Sequence, residues 1–203
     1  MIAPHSVAGI VLAGGQGRRM GGVDKGLIEL AGRPMIEHVL ERFRPQVGEI
    51  LINANQNADR YGAYGVPVVA DAVGGFAGPL AGLHAGLMRT TKPFACTVPC
   101  DSPFLPSDLV ARLAAALDSE RAQLAVARTF DQPHPVFACM RRDVLPGLAE
   151  FLQTGGRKID AWYAALAVVE VAFDDEADAF RNINTRDELA GLEQPLLREK
   201  PRP

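Results

Sequence analysis

Short apolar runs and amphipathic stretches alternate along the chain. Runs rich in Val, Ile, Leu and Phe at 7–14 (VAGIVLAG), 48–55 (GEILINAN), 66–71 (VPVVAD), 94–101 (FACTVPCD), 123–129, 134–140 and 166–173 predict strands. Between them MIEHVLERF (35–43) sets Met35, Ile36, Val39, Leu40 and Phe43 on one face of a helix, and 79–90, 107–119 and 144–154 follow the same logic. Ser107 stands where an N-cap belongs, and Pro34 and Pro79 where first-turn prolines belong. The first four strand runs are continuously apolar, which calls for cover on both faces and therefore for a parallel sheet. The expectation is an α/β fold with a largely parallel central sheet and helices on both faces, in a single domain over residues 1–192. The proline-rich, charged end EQPLLREKPRP (193–203) is expected to be a disordered tail.

In parallel sheets ligands bind beyond the carboxyl ends of the strands, so the residues that follow each run carry the most information. After the first run, Gly14, Gly15, Gly17, Gly21, Gly22 and Gly26 alternate with Arg18, Arg19 and Lys25. Asn53 and Asn55 close the second, Asp71 the third and Asp101 the fourth. Glycines let backbone N–H groups approach an anion, Arg19 offers a planar fork for phosphate and Lys25 a mobile point charge. This is not a Walker A loop, because Lys25 lies between Asp24 and Gly26 with no Ser or Thr after it. It is not a dinucleotide fingerprint either, since Met20 stands where the third glycine should be and no acid closes the second strand. The competing reading, a surface turn with solvated cations, has to treat six glycines and three cations after a first strand as coincidence.

The bulk composition narrows the partners. With 48% hydrophobic and 22% charged residues and a net charge of −3, there is no global basic field to recruit nucleic acid or an anionic membrane, and phosphate must be held by local charge. No apolar stretch approaches the span of a bilayer, and no basic region precedes a long apolar run at the start, so the expected location is the cytoplasm. Three cysteines, Cys96, Cys100 and Cys139, suit a reducing compartment, and no other Cys or His pair has zinc-site spacing.

The stretch LAGGQGRRMGGVDKGLIELAGRPMIEHV (12–39) resembles the opening of the nucleotidyltransferases whose signature is L-A-[GA]-G-x-[GS]-x-R-M-G followed by Lys and G-[RK]-P. Continued through NAN (53–55), Asp71, GPLAG (78–82), PCDSPFLP (99–106), His134-Pro135 and Asn182-Ile183-Asn184-Thr185, the likeness narrows to the molybdenum cofactor guanylyltransferases and covers about residues 7–192. It implies a single-domain Rossmann-like nucleotidyltransferase fold. It implies transfer of GMP from GTP to the phosphate of molybdopterin with release of pyrophosphate, in a monomer or weak oligomer. Mg²⁺ is the implied metal, with Mn²⁺ as its substitute, and transient docking with molybdenum-insertion and acceptor enzymes follows from the lability of the product.

The same resemblance offers Leu12, Ala13, Gly14 and Gly15 to the nucleotide, Lys25 to its phosphates, and Asn53, Asp71 and Asp101 to base, ribose and metal. Asn53 reads equally as a turn residue, and Asp71 also as a helix cap. Asp101 has its own argument: it ends an apolar strand, Ser-Pro then stops that strand, and one carboxylate plus phosphate oxygens suffices for Mg²⁺. Arg19, Lys25 and Asp101 are the expected catalytic set. Gly78, Gly82, the Gly155-Gly156-Arg157-Lys158 loop, Asn182 and Asn184 are implied for the pterin, against the alternatives of close helix packing for GPLAG and a capping turn for N-x-N-T. His134 is given no catalytic role.

Rival readings are a CTP-dependent cytidylyltransferase, a sugar-phosphate nucleotidyltransferase and a non-catalytic nucleotide or cofactor carrier. The resemblance associates LAGG with guanine and LAAG with cytosine, so Gly14 favours GTP.

Overall fold

The computed structural model describes residues 1–15, 24–73, 78–181, 183 and 188. Arg19, Asn182, Asn184, the Gly74–Ala77 stretch and the tail from 193 lie outside the described residues.

Seven strands build the main sheet: β1 (Val7–Leu12), β4 (Glu49–Asn53), β5 (Val68–Val69), β6 (Phe94–Pro99), β7 (Leu124–Thr129), β8 (Gln132–Arg141) and β9 (Val168–Ala172). Their order is β5-β4-β1-β6-β8-β7-β9. β5, β4, β1 and β6 pair in parallel, β8 runs against both β6 and β7, and β9 lies parallel to β7. Two short strands, β2 (Glu29–Leu30) and β3 (Arg33–Pro34), form a separate hairpin. The helices are α1 (Met35–Phe43), α2 (Ala58–Gly62), α3 (Pro79–Arg89), α4 (Leu109–Ser119), α5 (Leu145–Gln153) and α6 (Ile159–Tyr163).

Alternate residues of each strand feed two cores. On one face Val7, Val11, Ile50, Ile52, Cys96, Val98, Ala125 and Cys139 pack with α1, α4 and Tyr61 of α2. On the other, Ile10, Ala95, Leu124, Val126, Ala138 and Met140 pack with α3, α5 and Trp162 of α6. Of the four continuous apolar runs, those of β1, β4 and β6 are strands buried on both faces, as expected. The third is a correction: it forms only the two half-buried residues of β5, at the sheet edge, where one flank has no neighbour to cover it. β9 closes the opposite edge, and its residues alternate between exposed and half-buried.

Two glycines set how closely helices approach the central strand. A Cβ on Gly9 would stand 2.7 Å from the Phe43 ring, and one on Gly86 would stand 2.5 Å from the Ile10 side chain. Strand β8 accommodates Pro133 and Pro135 through an irregularity, where the partner of β7 jumps from Ala138 opposite Val126 to His134 opposite Ala127.

Two terminus assignments are corrected. Pro34 is not in the first turn of α1: it pairs with Glu29 in the hairpin and precedes the helix with ψ 140°. Ser107 does not cap α4. The helix begins after Asp108 without a local side-chain cap, and the buried Gln46 accepts from Val110 N (3.0 Å) while donating to Pro106 O (2.8 Å). A tertiary partner answers the orphan N–H, and no local motif can announce that. The five-residue helices α2 and α6 and the two-residue strands were too short to show a period.

Gly9→Ala should destabilise the protein by about 1–3 kcal/mol, since the added methyl meets a fully buried ring in a packed core. Urea melts comparing the variant with the parent check this, and unchanged stability would show that Phe43 yields freely.

Candidate active site

Parallel strands in the order β5-β4-β1-β6 bring their carboxyl ends into a row. Leu12 lies between Asn53 and Pro99 in register, and the ladder runs one residue further through Ala13 N to Asn53 O (2.8 Å), Ala54 N to Val69 O (3.0 Å) and Cys100 N to Leu12 O (3.1 Å). The predicted strands therefore end early. Gly14, Asn55, Asp71 and Asp101 fall just past the sheet and line its rim.

One half of the rim is a neutral-to-anionic clamp. Asn53 Nδ2 donates to Asp71 Oδ1 (2.8 Å) and to Val69 O (3.2 Å). Asn55 Nδ2 donates to Asp71 Oδ2 (2.8 Å) and Gly14 O (3.3 Å), while its Oδ1 accepts from Asp71 N (2.9 Å). Two amide donors thus fix the plane of the Asp71 carboxylate. Asn53 is only 2% exposed, so in this arrangement it supports Asp71 from beneath. Small residues make room for it: a Cβ at Gly14 would stand 2.9 Å from both Asn53 Oδ1 and Asn55 Nδ2, and one at Gly82 would stand 2.1 Å from Asn53 Oδ1. Gly82, offered to the pterin by the resemblance, is buried in α3 and seats Asn53.

The other half is a charge pair. Lys25, in a 3-10 turn spanning Lys25–Leu27, places Nζ 2.9 Å from Asp101 Oδ2, and Asp101 as a whole is 7% exposed. Beneath the pair, burial first, then the nearby carboxylates of Asp101 and Asp24, push the Cys100 thiol up, so it stays neutral. The backbone of Asp101 also accepts Ile183 N (3.1 Å).

The remaining pterin candidates divide. Gly78 is exposed at the N-terminus of α3 with φ 69° and ψ −159°, a conformation reserved for glycine. The Gly155-Gly156 pair instead terminates α5: Gly155 has φ 89°, Gly155 N donates to Leu152 O (3.2 Å), Gly156 N donates to Phe151 O (2.9 Å), and Arg157 folds back onto Leu152 O (2.9 Å).

Three supports were not read from the sequence. Asp24, Asn57 and Tyr61 join across the loop: Tyr61 Oη donates to Asp24 Oδ1 (2.5 Å) and Asn57 Nδ2 to Asp24 Oδ2 (3.0 Å). The available signal was an aspartate directly before the loop lysine. His134, at the start of β8, is hydrogen-bonded through Nε2 with Thr129 Oγ1 (2.7 Å) and stacks on Phe180 with centroids 4.8 Å apart. Among the described residues no group of three His, Cys, Asp or Glu comes together to hold a metal, and no helix is long and apolar enough to cross a membrane.

Residues 9–168 match the family model described as the MobA-like NTP transferase domain. The chain belongs to that family. Relatives named molybdenum cofactor guanylyltransferase from Cupriavidus taiwanensis and Cupriavidus necator are each 53% identical, over 95% and 93% of this chain and 99% and 97% of their own. The solved structure of molybdopterin-guanine dinucleotide biosynthesis protein A from Archaeoglobus fulgidus superposes with a TM-score of 0.78 at 27% identity, covering 94% of this chain and 99% of that one. In this MobA-like domain the ion pair and the hydrogen-bonded carboxylate lie at neighbouring strand ends of one sheet.

Burial pulls the pKa of His134 below its ordinary value of 6.5. The unfolded chain therefore takes up the proton first as pH falls, so stability is unaffected above about pH 6.5 and is lost progressively below it. His84, also lowered by burial, adds to the same slope. His134→Asn should lose less stability than the parent between about pH 7 and pH 5; equal slopes in urea melts at the two pH values would contradict this.

Proposed function

We propose that this chain transfers GMP from GTP to the terminal phosphate of molybdopterin, giving molybdopterin guanine dinucleotide and pyrophosphate. The observation that carries the proposal is the Lys25–Asp101 pair, one strand end away from the Asn53–Asp71–Asn55 clamp, in a chain 53% identical to guanylyltransferases. A cation and an anion at one rim position suit a triphosphate and its counter-ion. A carboxylate held in a fixed plane beside them suits a base.

Guanine presents two adjacent donors, N1–H and N2–H, and Asp71 presents two acceptor oxygens in a plane set by Asn53 and Asn55. Cytosine puts an acceptor beside its single amino donor, so the same carboxylate would face one of its lone pairs. Buried polar groups left unpaired by the wrong base supply discrimination. Gly14, whose bare Cα keeps the asparagine pair in place, supports the same choice.

The metal reading fits the donor set. Asp101 offers hard carboxylate oxygen, so Mg²⁺ or Mn²⁺ would be held by Asp101 together with phosphate oxygens of the substrate. Bound there, the ion would neutralise charge on the triphosphate. Lys25 then has two anions within its reach and transfers its contact from Asp101 to the phosphates. Arg19, on loop sequence alone, is assigned to the pyrophosphate being released. No general base is needed: the attacking group is a phosphate monoester, largely ionised at neutral pH. Its oxygen bonds to the α-phosphorus as the bond from that phosphorus to the bridging oxygen breaks, and the electron pair leaves with pyrophosphate. The chain's task is to hold two polyanions together and stabilise the charge that builds on them. The acceptor would approach past Gly78, and Asn182 and Asn184 are assigned to its amide edge on sequence likeness alone.

Thermal melts with GTP, CTP and ATP, each with and without Mg²⁺, test the nucleotide. At about 100 times the dissociation constant a ligand adds roughly 2.7 kcal/mol. In a domain of this size that raises Tm by about 5–10 °C. GTP alone should produce it, and a shift with CTP would move the chain to the cytosine branch. Asp101→Asn should lower turnover at least about a hundredfold while circular dichroism stays unchanged, as expected for loss of an electrostatic group at the reacting phosphates; parent-like rates would remove Asp101 from the site.

A further inference from the structure

We infer that Tyr61 is a positioning residue for phosphoryl transfer, acting through Asp24 on Lys25; the inference rests on the phosphate role proposed above for Lys25. Asp24 stands directly before Lys25 and closes its turn, with Leu27 N donating to Asp24 O (3.1 Å). A second carboxylate beside the phosphate cation is a liability. Loose, it would compete for the Lys25 ammonium as charge builds on the phosphates in the transition state. Both of its oxygens are instead held from outside the loop, Oδ1 by the Tyr61 hydroxyl (2.5 Å) and Oδ2 by Asn57 Nδ2 (3.0 Å). Lys25 pairs with Asp101 (2.9 Å).

The clasp is rigid. Tyr61 has no exposed surface, and burial first, then its neighbours Cys100 and Asp24, push its phenol up, so it remains a donor. Asn57 reaches Asp24 from a left-handed conformation, φ 53°, at the start of α2. The turn itself fits between two walls: a Cβ on Gly26 would stand 2.5 Å from the Tyr61 hydroxyl and 3.2 Å from Cys100 Cβ. Glycine at 26 lets the two walls close on the turn, and the tyrosine hydroxyl is the part of the wall that carries a hydrogen bond.

The test is the isosteric change Tyr61→Phe, with turnover measured on GTP and molybdopterin. It should lower kcat by about tenfold with the KM for GTP within about twofold, the pattern of an interaction felt in the transition state. In a Lys25→Ala background the same change should alter kcat by less than about twofold, because groups that act as a unit are not additive. Asn57→Gly, which frees the other carboxylate oxygen and keeps the left-handed backbone without strain, should lower kcat in the same direction. Parent-like kcat in Tyr61→Phe would overturn the inference, as would an equal fall in kcat with and without Lys25, which marks a packing role. A Lys25→Ala variant that turns over like the parent removes the phosphate reading of Lys25 itself, a separate failure from the others.

Discussion

A sheet with apolar side chains on both faces must be covered twice, and covering it leaves chemistry only its rim. Here α1, α2 and α4 take one face and α3, α5 and α6 the other. The clustered polar side chains Asn53, Asn55, Asp71, Lys25 and Asp101 accordingly lie at or beyond the carboxyl ends of β1, β4, β5 and β6, where the backbone leaves the ladder. The same burial fixes their positions. Leu12, Asn53 and Pro99 are locked in register, so the residues that follow them start from defined points. A site built this way inherits the stiffness of the core without being in it.

The rim separates its two polar arrangements by strand. β4 and β5 supply a hydrogen-bonded carboxylate, and β6 with the loop after β1 supplies an ion pair. That division keeps Asp71 and Asp101 apart. Each has its own partners, two amides for one and an ammonium for the other, so neither needs the other's donor. Glycines do the spatial work between them: Gly14 and Gly82 let asparagines lie flat against β1 and α3, and Gly26 lets the lysine turn slip between Tyr61 and Cys100.

Much of this was legible in the chain. Three of the four continuous apolar runs announced strands buried on both faces, the third being the half-buried edge strand β5, and the residues that close the four runs did prove to share one end of the sheet. What stayed hidden has a common cause. Gln46 capping α4, Tyr61 bracing Asp24 and Gly82 seating Asn53 are contacts between residues distant in sequence, and no local pattern marks them. The stretches GPLAG and GGRK show the ambiguity of glycine. Their glycines look like places where a ligand approaches the backbone, yet Gly82 serves close packing and Gly155-Gly156 end a helix. Glycine signals a need for space or for positive φ, and the chain alone does not say which object fills it. The reversal of β8 was also beyond reach, because its mixed pattern fits either direction.

The position of β1 at the middle of the row has a consequence for synthesis. The strand and its glycine loop leave the ribosome well before β6 (Phe94–Pro99), and β1 has no second neighbour until β6 has been made; Asp101 follows only then. Nearly half the chain must be held in waiting, its apolar central strand open on one side, before the rim exists at all. Non-local parallel pairing of this kind is slow to form and exposed while it forms. The rim and the completed fold thus arrive together, and a nascent chain that has β1 alone has no working fraction of either.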